Sequence, residues 1–352
     1  VNNIKFGIFT PPRGLEWIYR TAELAESGNY DSVWMPDHLV GWGKKLDAID
    51  AWTTLAALAV KTKRVHLGIG VTDPHRKHPA VFAHQAMTLD QISGGRTMIG
   101  IGAGEAMNLA PYGIEYDRAV TKLEEFLRVV KNLWTKKMVS HQGNFYKMKN
   151  AFILPRPSFI PLYVAGNAPK TMKITAMLGD GWLPFKRSPE VYRKDWDEIR
   201  KIARENGRNP DEIVPGYLLY TAISKDREHA RKIVEEQGKM LLIVSPRRIK
   251  ELGYTPPTMK LDAHKLTAEG VGEFAKVKDV PLEAVEKSFV FGTPDDCVAG
   301  VEKFIDAGCR YFMVGILNPG AERDEAIKMF SEEVIARVCP LGSAPTSHRE
   351  SG

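Results

Sequence analysis

Asp37 and His38 stand side by side at the end of an apolar run, Ser32-Val33-Trp34-Met35, with Trp42 four residues beyond the histidine. A carboxylate next to an imidazole is a combination suited to moving protons near neutral pH. Each residue also has a plainer use: the aspartate can cap the next segment and the histidine can fill a polar niche. A second group, Gly102-Ala103-Gly104-Glu105-Ala106-Met107-Asn108, sets another carboxylate in a glycine-rich turn. A third, Gly166-Asn167-Ala168-Pro169-Lys170-Thr171, follows the apolar run Leu162-Tyr163-Val164-Ala165 and opens a helical pattern. Small residues at such a turn let backbone N–H groups approach a phosphate, although the same residues also make a plain tight turn.

Several other chemistries lack their patterns. The Gly166 turn does not have the G-x-x-x-x-G-K-[ST] spacing of a P-loop. Gly100-x-Gly102-x-Gly104 is not G-x-G-x-x-G either, because residue 105 is Glu, so a nicotinamide fingerprint is unsupported. His75-x-x-His78 has no carboxylate or cysteine partner at a ligand spacing, so no metal site is expected.

The elements that position these residues alternate. Strands are predicted around Phe6, Trp34, Leu67, Ile99, Val164, Leu183, Tyr217 and Met313, each followed by a segment of helical periodicity. A small β excursion is expected over 141–152, and a Pro-interrupted insertion over about 245–283, before the last β/α unit. Eight β/α units favour an α/β fold closed as a (β/α)8 TIM barrel, with an open doubly wound sheet as the alternative. The barrel reading makes a demand that the sequence meets: polar and glycine-rich residues cluster just after strands. They include Asp37, His38 and Trp42, then Thr72 and Asp73, then Gly104, Glu105 and Asn108, then Gly166, Asn167, Lys170 and Thr171, then Lys186 and Arg187. Gly68 and Gly70 lie inside a predicted strand, where glycine marks either a close backbone approach or tight packing in the barrel.

Bulk composition narrows the class. The 352 residues carry a net charge of +6 that is spread rather than clustered, which argues against nucleic-acid binding. No apolar stretch reaches the ~18 residues of a membrane span, and no secretory signal is read at the start. Three widely spaced cysteines, Cys297, Cys309 and Cys339, lead us to expect reduced thiols and a cytoplasmic protein. One domain over 1–340 is expected, followed by a disordered tail at 341–352.

Taken together, these motifs resemble the bacterial-luciferase-like flavin and deazaflavin oxidoreductases, and within them the branch that uses coenzyme F420. The resemblance runs from Ile4 to about Val338. It rests on Asp37-His38 with Trp42, Leu67-Gly68-Ile69-Gly70-Val71-Thr72, the Gly102–Asn108 segment, Ile92-Ser93-Gly94-Gly95-Arg96, and the Gly166 turn followed by Leu178-Gly179-Asp180-Gly181.

The resemblance implies a luciferase-like TIM barrel, a homodimer, and hydride transfer between F420 and a small substrate. An alcohol/carbonyl pair is favoured as that substrate. The alternatives are a methylene-tetrahydromethanopterin reductase-like C1 enzyme, an FMN-dependent monooxygenase, and a barrel that only carries its cofactor. It implies catalytic roles for His38, Glu105 and Trp42. Asp37, Gly70, Val71, Thr72, Gly104, Asn108, Ala165, Gly166, Asn167, Lys170 and Thr171 would hold the cofactor, with a cis peptide at Gly70–Val71. Lys186 and Arg187 would face the substrate. Methylene-tetrahydromethanopterin reductases carry an acid in the first strand, where this chain has Phe9.

Overall fold

The computed structural model describes residues 4–11, 14–41, 48–243, 245–257 and 277–339. The first half runs β1 (Lys5–Phe9), α1 (Leu15–Ser27), β2 (Ser32–Met35), α2 (Ala51–Lys61), β3 (His66–Thr72), α3 (Pro79–Ser93), β4 (Thr97–Ile101) and α4 (Ala119–Thr135). A hairpin of β5 (Val139–Gln142) and β6 (Lys147–Ala151) follows. The alternation then resumes with β7 (Leu162–Val164), α5 (Pro169–Leu178), β8 (Gly181–Trp182), α6 (Pro189–Glu205), β9 (Val214–Ile223) and α7 (Arg227–Ile243). Short helices α8 (Pro246–Glu251) and α9 (Leu282–Glu286) lie in the insertion. Last come β10 (Val290–Gly292), α10 (Pro294–Asp306), β11 (Tyr311–Ile316) and α11 (Glu322–Met329), the last running through a π-helical stretch to α12 (Ala336–Val338).

Eight parallel strands pair in the ring β1-β2-β3-β4-β7-β8-β9-β11, and β9 meets both β8 and β11 to close it. The closed barrel is therefore the fold, and the open sheet is not. Two strand predictions need correcting. β8 has only two residues, with a further bridge from Phe185 to Leu218, and β10 was not expected at all. It pairs with β9 outside the ring. There it covers a separate apolar cluster that includes Ala222, Val234, Leu242, Ile249, Val285 and Phe289 and packs the described part of the insertion against the barrel. The expected excursion is the antiparallel β5–β6 hairpin, whose turn offers the N–H groups of Asn144, Phe145 and Tyr146 to the Glu125 carboxylate of α4. Residues 258–276 of the insertion, the tail from 340 and Trp42 lie outside the described residues.

The barrel is filled rather than hollow. Trp34, Met98, Tyr163, Leu183, Tyr311 and Met313 pack inside it. Trp34 lies across Gly68, and a Cβ there would overlap the indole, so tight packing accounts for that glycine. The indole N–H is satisfied by Ser32 Oγ and the Tyr311 hydroxyl, both at 2.8 Å.

The Ser93–Arg96 motif is a helix stop. Gly94 adopts φ +69°, and the Arg96 guanidinium donates to Ala59 O, Thr62 O and Val65 O, satisfying carbonyls at the end of α2. Among the described residues no helix is long and apolar enough to cross a membrane.

Candidate active site

Parallel strands bring all eight carboxyl ends to one mouth, and the loops after β2, β3 and β4 meet there. Asp37 is buried, 4 % exposed. Its Oδ2 accepts from Thr72 Oγ1 at 2.6 Å and from Trp52 Nε1 at 3.1 Å, and it pairs with Arg76 at 3.1 Å. Arg76 also donates to the Asp37 carbonyl and to Asp73 Oδ2, each at 2.5 Å. Burial works against the Arg76 charge, but the two carboxylates outweigh it and hold its pKa above the ordinary value. Asp37 is thus fully engaged in fixing its neighbours.

The peptide bond Gly70–Val71 is cis, and the β3–β4 register slips between Ile69 and Thr72, so β3 bulges just before Thr72. The bulge sets Val71, half-buried, at the mouth, and Gly100 leaves room for its side chain. After β4, Gly104 takes φ +88° and rests on His75 and Asp73, a conformation and a clearance that suit glycine. His75 Nε2 lies 3.0 Å from Ala103 O, and burial lowers its pKa. His78 instead accepts the Ala80 N–H at the start of α3, so the two histidines of the His75-x-x-His78 spacing are used separately.

This loop delivers Glu105. Its Oε2 lies 3.7 Å from His38 Nε2, with the two side chains 39 % and 16 % exposed. Neither is locked into a core network, and both open onto the mouth. Asn108, 3 % exposed, spans the same two loops. Its Oδ1 accepts from Leu39 N at 2.8 Å and Val40 N at 3.3 Å, and its Nδ2 donates to Glu105 Oε2 at 3.4 Å.

The opposite side is formed by the loops after β7 and β8. Ala165 and Gly166 leave β7, and Thr171 packs so closely on Gly166 that a Cβ there would strike it. The Thr171 hydroxyl accepts the Ala168 N–H at 3.1 Å, which fixes the start of α5 with Pro169 in its first turn. Lys170 is exposed at this helix start. Asn167 Nδ2 donates to Phe185 O, while its Oδ1 is buried and has no partner among the described residues.

Lys186 and Arg187 are turned into the protein. The Lys186 ammonium donates to Leu241 O at 2.6 Å and Ser245 Oγ at 2.7 Å, and burial pushes it down to about 7, against the pull of the Glu105 charge. Arg187 pairs with Asp195 at 3.1 Å and Glu251 at 2.9 Å and donates to Asn167 O at 3.0 Å.

Sequence reasoning passed over Arg76, Trp52 and Tyr220. Arg76 had a signal, being the first lysine or arginine right after β3, three residues beyond Asp73. Tyr220 had a weaker one, its place on an alternating strand two residues from Leu218. Its ring packs at 6.2 Å from Phe9 and closes on Gly315. Burial, with the Glu105 charge adding to it, raises the phenol pKa.

Comparison with known proteins agrees with this architecture. A family model described as luciferase-like monooxygenase matches residues 4–311. The chain is 28 % identical to a 5,10-methylenetetrahydromethanopterin reductase of Methanolobus tindarius, over 94 % of this chain and 99 % of that protein. It is 27 % identical to an F420-dependent glucose-6-phosphate dehydrogenase of Amycolatopsis mediterranei, covering 90 % and 93 %. An F420-dependent secondary alcohol dehydrogenase, solved with an F420-acetone adduct, superposes with a TM-score of 0.80 at 24 % identity, covering 95 % and 99 %. The match to the family model spans most of the sequence, and the chain belongs to the luciferase-like monooxygenase family.

Proposed function

We propose that the protein is a coenzyme F420-dependent oxidoreductase that moves hydride between the deazaflavin and an alcohol/carbonyl pair. The observation that carries this reading is the His38–Glu105 pair, 3.7 Å apart and open to the mouth beside the bulge at Gly70–Val71. The names of the similar proteins, which include F420-dependent enzymes, support the cofactor.

The residues present fit such a group. Asn167 Oδ1 is a buried acceptor without a partner among the described residues, suited to a hydroxyl on the cofactor's side chain. The start of α5, with Lys170 exposed on it, offers N–H groups and a cation to a phosphate. Val71, Thr72, Gly104 and Ala165 would line the ring, and Asp37 acts by fixing Thr72 and Arg76. Bound F420 supplies the hydride acceptor or donor. In the oxidative direction His38 takes the substrate hydroxyl proton at Nε2, and Glu105 stabilises the imidazolium that forms. In the reductive direction the same nitrogen returns the proton. Trp42 is assigned to the developing oxyanion on the strength of the family resemblance alone.

An uncharged substrate suits this mouth better than a sugar phosphate, because Lys186 and Arg187 already spend their donors on Leu241, Ser245, Glu251, Asp195 and Asn167. A second copy of the chain and a cytoplasmic setting belong to the same proposal. Exposed Val60 of α2 with Val81 and Ile92 of α3 supports a dimer, since 81 and 92 share one helix face.

The deciding experiment is an anaerobic fluorescence titration with F420 and, separately, FMN, followed by alcohols, ketones and methylene-pterins. Saturable F420 binding with much weaker FMN binding, and turnover of an alcohol or ketone, is the expected result. Turnover of methylene-pterin alone would move the substrate to the reductase reading, which the Methanolobus relative favours. Tight FMN binding without an F420 response would overturn the cofactor.

A further inference from the structure

The family resemblance places Asn108 against the cofactor, but all of its amide's contacts in the structure go elsewhere. Oδ1 receives two backbone N–H groups, from Leu39 and Val40, the residues directly after His38. Nδ2 reaches the same Glu105 oxygen that faces His38. The side chain is buried, and its own backbone N–H closes a tight turn onto Glu105 O at 3.0 Å.

We propose that Asn108 is a positioning residue for proton transfer: it clamps the loop after β2 to the loop after β4 and sets the spacing of His38 and Glu105. This inference rests on the proposed function for its catalytic consequence, but the clamp itself does not.

The amide is the one side chain of this size that does both jobs. It accepts from the His38 loop while donating to Glu105. A carboxylate would keep the first contact and turn the second into repulsion. An alanine would lose both. Burial adds weight, because removing Oδ1 leaves two backbone donors short of an acceptor.

The test uses Asn108→Asp and Asn108→Ser in the full chain. Three quantities are measured: amide hydrogen exchange at Leu39 and Val40, F420 affinity, and the pH profile of kcat and kcat/KM. In Asn108→Asp we expect wild-type protection of the two amides and an F420 Kd within about twofold. We also expect kcat at least about tenfold lower, with the profile moved to higher pH, because paired carboxylates hold a shared proton longer. In Asn108→Ser we expect faster exchange at both amides, reduced kcat and an unchanged Kd.

A Kd raised more than tenfold with an unmoved profile would make Asn108 a cofactor contact and overturn the proposal. So would wild-type kinetics in Asn108→Asp, or full amide protection in Asn108→Ser. If the wild-type protein binds no F420, the functional reading fails, while the exchange measurement on the free protein still decides the clamp.

Discussion

Across the mouth of the barrel, the loops after β2, β3 and β4 bind one another. Arg76 joins Asp37 to Asp73, Thr72 reaches back to Asp37, and Asn108 joins the residues after His38 to Glu105. The loops after β7 and β8 also join each other, through Asn167 and Arg187, but reach further, to α7 and beyond. Lys186 holds the end of α7 and Ser245, and Arg187 holds Glu251 of α8. The first side joins most of its polar groups to one another, with the buried His75 Nδ1 left without a partner among the described residues, and leaves the pair His38 and Glu105 open to solvent. The second side sends its cations to α6, the end of α7 and the insertion, and its Asn167 Oδ1 is buried without a partner among the described residues. Under the proposed function, chemistry falls on the first side, where geometry does not depend on a distant segment.

The sharpest way to break this contrast is His38→Ala. General acid–base catalysis contributes roughly 10²- to 10⁴-fold, so turnover should fall by that amount with F420 affinity unchanged. Stopped-flow hydride transfer and a fluorescence titration measure the two separately. Full activity in the variant would remove proton transfer from the first side.

Charge deletion compares the sides directly. Arg76→Met strands Asp37 and Asp73 in a buried setting, and breaking such a pair costs about 3–5 kcal/mol. Arg187→Met leaves Asp195 without its partner but should lose less, about 1–3 kcal/mol, because Asp195 is more exposed than Asp37 and Asp73 and Glu251 keeps Arg247 at 3.2 Å and Arg248 at 3.8 Å. Urea unfolding of the two variants gives both values. Equal losses would mean that the second side is as tightly interlocked as the first.

The legible part of the molecule follows from where each signal lives. Strand ends, glycine turns and helix stops are local, so Asp37-His38, Gly104-Glu105, the Gly166 turn and Ser93–Arg96 stood out in the sequence. β10 is three residues long and follows a Pro-broken stretch, so periodicity had nothing to detect. Side-chain destinations are not local. Arg76 meets Asp37 across 39 positions, and Lys186 meets Leu241 across 55. A lysine after a strand reads as facing the mouth, and only the packing of α7 and the residues after it turns this one inward.

The smallest effect is also the most discriminating, because the two sides titrate in different windows. On the second side, Lys186 falls from its ordinary 10.5 to about 7 in the folded protein. Between those values the unfolded chain holds the extra proton, so this group makes stability rise with pH from about 7 to 10.5, and its full burden is present below 7. The two hydrogen bonds to Leu241 and Ser245 favour the charged form and oppose the burial, so the effect is smaller than the full shift alone would give. On the first side, burial lowers His75 below its ordinary 6.5, with the Ala103 carbonyl opposing. Its stability is whole above 6.5 and is lost as pH falls through the folded value. Unfolding midpoints of wild type, Lys186→Met and His75→Gln from pH 5 to 10 separate the two. The gap between wild type and Lys186→Met should shift in favour of wild type only above pH 7, and that between wild type and His75→Gln should change only below 6.5. A single shared window would mean that the two sides of the mouth respond as one.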